Sequence, residues 1–111
     1  MSFEAFDVGR HRVALSPRES VGPPTPYTLL LAGSIPDLSG LVAVDIGTGS
    51  GILAIVSALQ GASRVYVLDT NPAAVSAALD NAERNGVRDR VVALPTGDVM
   101  RRWPRTSRST W

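Results

Sequence analysis

Three glycines at alternate positions, Gly47, Gly49 and Gly51, stand between an acid, Asp45, and an apolar segment that opens at Ile52. A second acid, Asp69, follows Gly47 by 22 positions. Glycine has no Cβ, so such a run lets the chain turn sharply and lets a ligand approach the backbone. In a strand–turn–helix–strand unit, an acid at that distance reaches a ribose, and its carboxylate accepts hydrogen bonds from both hydroxyls. The chemistry these residues suit is capture of a nucleoside-containing cofactor. The spacing narrows the choice. A dinucleotide fingerprint places its third glycine where this chain has Ile52, and a phosphate-binding P-loop needs a lysine, which the chain lacks.

The elements that must position these residues are legible on both sides. Val42, Val44 and Ile46 suit a buried strand, because β-branched side chains pack well on a pleated surface. From Ser50 to Gln60, Ile52, Ile55, Val56 and Leu59 form a helical face that can press onto a sheet. Residues 64–68 read as a second strand ending at Asp69. Asn71-Pro72 supplies a cap-plus-proline helix start, Val75, Ala78, Leu79 and Ala82 share one face, and Asn85-Gly86 marks the stop. A third strand is expected over 90–94, followed by Pro95-Thr96-Gly97-Asp98. This alternation predicts an α/β, Rossmann-like parallel sheet with right-handed crossovers: about three core strands, flanking helices and an N-terminal extension.

The stretch Val-Asp-Ile-Gly-Thr-Gly-Ser-Gly-Ile-Leu-Ala, residues 44–54, resembles motif I of class I S-adenosylmethionine (SAM)-dependent methyltransferases. Val-Tyr-Val-Leu-Asp-Thr-Asn-Pro, residues 65–72, is similar to the family's second motif. The resemblance implies SAM as cofactor and Asp45, Gly47, Thr48, Gly49, Gly51, Asp69, Thr70 and Asp98 as the residues that hold it. Asp69 would take the ribose, Asp98 the adenine amino group, and Asp45 would stand near the amino-acid end. Family members also place a segment like Tyr27-Thr28 beside the cofactor; core packing for Tyr27 and an exposed hydroxyl for Thr28 are the competing readings. Nitrogen-directed relatives, acting on protein or RNA, carry an Asn-Pro-Pro-like motif after a fourth strand, and this sequence has none. The resemblance therefore covers the cofactor half of a methyltransferase. No catalytic residue is assigned, and the chain alone is expected to bind cofactor with little or no activity.

Residues 1–40 read as an extension in three parts. Phe3 to Leu15 suits a short hairpin around Gly9-Arg10-His11-Arg12, with His11 solvated in the turn. Prolines at 17, 23, 24 and 26 make a stiff extended connector. Thr25-Pro26 starts a helix that Gly33 ends. Residues 41–100 form the cofactor-binding unit. Residues 101–111 are irregular and basic, and G- or C-ending codons for 102–111 read in another frame as Val-Ala-Glu-Asp-Glu-Pro-Leu-Asp-Val, so an out-of-frame origin is set against a natural basic tail.

Composition bounds the remainder. Hydrophobic residues are 44%, so the chain is globular, and the absence of cysteine excludes disulfides and cysteine metal sites. No apolar run is long enough to span a membrane, and the N-terminus lacks the basic start and apolar core of a signal peptide, so a cytoplasmic location is expected. Residues 1–98 hold seven arginines and ten acids, a net of −3, whereas 99–111 hold four arginines and no acid. Two rivals follow: a nicotinamide-dependent oxidoreductase fragment, and an RNA-binding module using Arg101, Arg102, Arg105 and Arg108 with Trp103 and Trp111. Self-association through an open first strand of the sheet is a further expectation.

Overall fold

The computed structural model describes residues 3–94, so Asp98 and the basic segment 101–111 lie outside the described residues. The N-terminal hairpin pairs β1 (Glu4–Val8) with β2 (His11–Leu15), antiparallel, with Phe6 opposite Val13. The turn is tighter than the four residues expected: Gly9 takes φ +58°, and His11 already belongs to β2. Helix α1 (Pro26–Gly33) starts as read, with the Thr25 hydroxyl accepting from the Thr28 N–H at 3.1 Å and proline in the first turn.

A parallel sheet follows, ordered β3 (Val42–Ile46), β4 (Arg64–Leu68), β5 (Val91–Ala93). Val42 pairs with Arg64 and Ile46 with Leu68, which brings the carboxyl ends of β3 and β4 level. Helices α2 (Ile52–Leu59) and α3 (Pro72–Arg84) connect the strands. Asn71 caps α3 through the Ala73 N–H at 3.0 Å, and Gly86 beyond its end has φ +74°. The third strand is shorter than expected because Arg88–Arg90 close a 3-10 turn before it.

Two expectations about burial are corrected. In β3, Val42 and Ile46 are 61% and 74% exposed, and Val44 is half-buried. Strand side chains alternate, and α2 packs on the face carrying Ala43 and Asp45, in line with the buried Val65 and Val67 of β4. The β-branched face of β3 is the open one. In α3, the buried stripe is Ala74, Ala77, Ala78, Asn81 and Ala82, while Val75 and Leu79 are half-buried. Small residues occupy that stripe because the glycine turn passes close over it.

The core joins Ile52, Ile55 and Val56 of α2 to Val65, Val67 and Val91, and extends to Val8, Val13 and Leu15 of the hairpin. Each such apolar side chain contributes roughly 1.5–3 kcal/mol on burial. His11 is half-buried rather than solvated, its Nε2 lying 2.8 Å from Gln60 Oε1 at the end of α2. Gln60 also donates to the Ile35 carbonyl at 2.9 Å. The hairpin is thereby fastened to the same body as the sheet.

Candidate functional site

The turn between β3 and α2 is a run of left-handed glycines: φ is +75° at Gly47, +53° at Gly49 and +89° at Gly51. A β-carbon at any of them would strain the backbone. Their surroundings differ. A Cβ on Gly47 or Gly49 would meet nothing within 4 Å, whereas on Gly51 it would lie 2.7 Å from the Ala78 Cα. Gly47 and Gly49 therefore present bare backbone to open space. Gly51 is buried against α3, where its lack of a side chain serves packing.

The turn is anchored to the neighbouring strand and helix. The Gly47 and Thr48 N–H groups donate to the Leu68 carbonyl at 2.8 and 3.3 Å. The Gly49 N–H donates to Asp69 Oδ2 at 3.2 Å, and the other oxygen of that carboxylate accepts from the Asn71 N–H at 2.9 Å. Asp69 stands where β4 meets the cap of α3 and holds the turn on one side. Exposed Thr70 follows it. A groove of about 580 Å³ runs from these two residues past Val75 and Leu79 to Ala93 and Leu94 at the end of β5.

Asp45 lies on the helix-covered face of β3. Its Oδ2 accepts from the buried Thr48 hydroxyl at 2.9 Å, and its carboxylate also takes the Ala54 N–H in the first turn of α2. Gly51 has no side chain with which to cap α2. Burial pushes the Asp45 carboxyl above its ordinary value of 3.8, the two hydrogen bonds oppose the rise, and the nearby Asp69 adds to it.

The fold thus brings Asp45, Gly47, Thr48, Gly49, Gly51, Asp69 and Thr70 into one cluster at the carboxyl ends of β3 and β4. Tyr27 stands apart from the core, 69% exposed, and the Thr28 hydroxyl is 3.0 Å from that of Thr25. Sequence reasoning assigned Asn81 no role and Asn85 only that of a helix stop, which it fills as the C-cap of α3. Asn81 is 1% exposed and bonds to both Ser16 and Ser50, and Asn85 bonds to both backbone groups of Ala14. An asparagine recurring at four-residue spacing on an alanine-rich helical face was the available signal.

A parallel sheet with a glycine turn after its first strand and an acid after its second defines a Rossmann-like, nucleoside-binding arrangement. The profile of the ribosomal protein L11 methyltransferase (PrmA) family matches residues 32–106, more than half of the chain, and the chain belongs to that family. A ribosomal protein L11 methyltransferase of Vibrio parahaemolyticus is 53% identical over 60 residues, covering 53% of this chain and 20% of the relative. The chain spans about a fifth of the length of the curated relatives it matches. A solved structure from Methanobacterium thermoautotrophicum, described as precorrin 8W decarboxylase, superposes with TM-score 0.68 at 29% identity, over 81% of this chain and 50% of that one. The C-terminal domain of a Rhodobacter capsulatus precorrin-6Y C5,15-methyltransferase shares the fold, with TM-score 0.56 at 24% identity over 69% and 42% of the two chains. Neither the oxidoreductase nor the RNA-binding alternative gains support from these comparisons. Among the described residues no helix is long and apolar enough to cross a membrane, and no cluster of side chains suits a metal ion.

Proposed function

We propose that this chain binds SAM at the glycine turn and forms the cofactor half of an enzyme that methylates a protein substrate of the ribosomal type named for its relatives. The observation that carries the reading is the pairing of Gly49 with Asp69. Bare backbone at Gly47 and Gly49 faces open space, and a carboxylate 3.2 Å from the Gly49 N–H stands at its edge. That is a cradle of the right chemistry for a nucleoside with an amino-acid arm.

Asp69 accepts from the ribose hydroxyls, and Thr70 lies beside the nucleoside. The backbone of Gly47, Thr48 and Gly49 runs along the amino-acid arm, and the positive end of α2 favours its carboxylate. Asp45 and Thr48 brace the turn from beneath. Asp98, outside the described residues, takes the adenine amino group. Bound SAM supplies an electrophilic methyl group on sulfur, and the protein's part is to align it and keep water away.

Titrating SAM, S-adenosylhomocysteine and NAD separately into the purified chain by calorimetry tests this. Saturable heat with the two SAM-type ligands and none with NAD is expected. Binding of NAD alone, or of none of the three, overturns the proposal.

The open edge of β3 carries a second proposal. Among the described residues β3 pairs only with β4, so the other row of its backbone groups has no strand partner, and Val42 and Ile46 flank it. Apolar edges of this kind recruit further strands, and a second copy of the chain offers an identical one.

A further inference from the structure

Asn81 sits in the middle of α3, on a face otherwise made of alanines, and is 1% exposed. Asparagine there is costly twice over: it is a weaker helix former than alanine, and its buried amide needs partners. It has them. Its Nδ2 donates to the Ser50 carbonyl at 2.9 Å, and its Oδ1 accepts the Ser16 N–H at 2.8 Å. Ser50 belongs to the glycine turn, and Ser16 opens the proline-bearing connector.

The Ser50–Gly51 peptide is consequently held at both ends. Asn81 takes its carbonyl, while its N–H donates to the Thr48 carbonyl at 2.8 Å. The Thr48 side chain in turn donates to Asp45. This peptide directly precedes α2, so its orientation sets where Gly49 and the first turn of the helix point.

The connector is fixed along α3 as well. Asn85 bonds to both the N–H and the carbonyl of Ala14, Arg18 pairs with Asp80 and reaches Ser76, and Asn71 donates to the Ser20 carbonyl at 3.2 Å. A cavity of about 130 Å³ is bounded by connector residues on one side and Ser50 and Ala77 on the other. The connector therefore meets the turn through Asn81.

We infer that Asn81 is a positioning residue for the cofactor turn, and that it couples the turn to the connector from Ser16 to Pro24. The inference rests on the reading of the turn as a SAM site. Asn81→Asp keeps an acceptor for the Ser16 N–H and, once ionised, removes the donor to Ser50.

The variant should bind S-adenosylhomocysteine at least ten-fold more weakly at a temperature well below its unfolding transition. In the unliganded protein, the Gly49 and Gly51 amides should shift in NMR spectra and exchange faster than in wild type. Unchanged affinity in the folded variant, or unchanged glycine amides, overturns the inference. Should the variant fail to fold, wild type decides. Adding S-adenosylhomocysteine should then move the Ser16 amide and Asn81 side-chain resonances together with those of Gly49 and Gly51, and silence at Ser16 and Asn81 overturns the coupling. A wild-type chain that binds no S-adenosylhomocysteine sinks the SAM reading, and the glycine amides of the variant still decide whether Asn81 holds the turn.

Discussion

Gly51 and Ala78 approach so closely that a β-carbon on the glycine would lie 2.7 Å from the Cα of the alanine. That contact locks the glycine turn onto α3. Gly51→Ala should accordingly combine overpacking, about 1–3 kcal/mol, with the roughly 1–2 kcal/mol strain of a side chain at left-handed φ. Gly49→Ala meets open space and should lose only the strain, yet it fills the side where the cofactor is proposed to lie. Urea unfolding of the two variants should place Gly51→Ala well below Gly49→Ala in stability, and calorimetry should show Gly49→Ala impaired in SAM binding. Equal stabilities would refute the division of roles.

Asp69 is expected to hold the ribose. Asp69→Ala should weaken SAM binding by about 1–3 kcal/mol, the usual cost of losing hydrogen bonds to a charged group. Asp69→Asn retains an acceptor for the Gly49 or Asn71 N–H and should lose less. A folded Asp69→Ala protein with wild-type affinity removes Asp69 from the site.

Asp45 gives stability a predictable pH dependence. Its carboxyl is raised above 3.8 by burial, so the folded state holds the proton more tightly than the unfolded chain does. The resulting stabilisation is complete below the ordinary carboxylate value and is lost as pH rises through the raised one. Asp45→Asn keeps an acceptor for the Thr48 hydroxyl without a charge to bury. Relative to wild type, its unfolding free energy should therefore climb as pH rises from about 3 and level off once Asp45 has ionised. Denaturant titrations across that range measure the difference directly, and a difference that is flat or falls with pH contradicts the assignment.

The open edge of β3 should make the chain associate. Sedimentation velocity is expected to show dimers or larger species growing with concentration. Ile46→Lys, at a position 74% exposed, should shift the population toward monomer while leaving the unfolding midpoint nearly unchanged. A wild-type chain that stays monomeric at high concentration removes the proposal.

Much of the fold was legible because its signals are local. Thr25 and Asn71 cap helices through amides two or three residues away, and the glycine run answers to backbone sterics at those positions alone. The distance from Gly47 to Asp69 is one turn, one helix and one strand, each of a length its own sequence sets. Strand, turn, helix and acid therefore follow from residue types and spacing without knowledge of the neighbours. Tertiary structure decided what local spacing leaves open. Alternation assigns Val42, Val44 and Ile46 to one face of a strand, but which face is covered depends on where α2 lands, and it lands on the side of Ala43 and Asp45. The same holds for α3, whose buried stripe runs through Asn81 because the glycine turn and the Ser16 segment meet there. Gly51 differs from Gly49, and His11 finds Gln60, through contacts across tens of residues of sequence. Such pairings exist only once the chain has closed on itself, since hydrogen bonds and van der Waals contacts act over a few ångströms of space, whatever the separation along the chain.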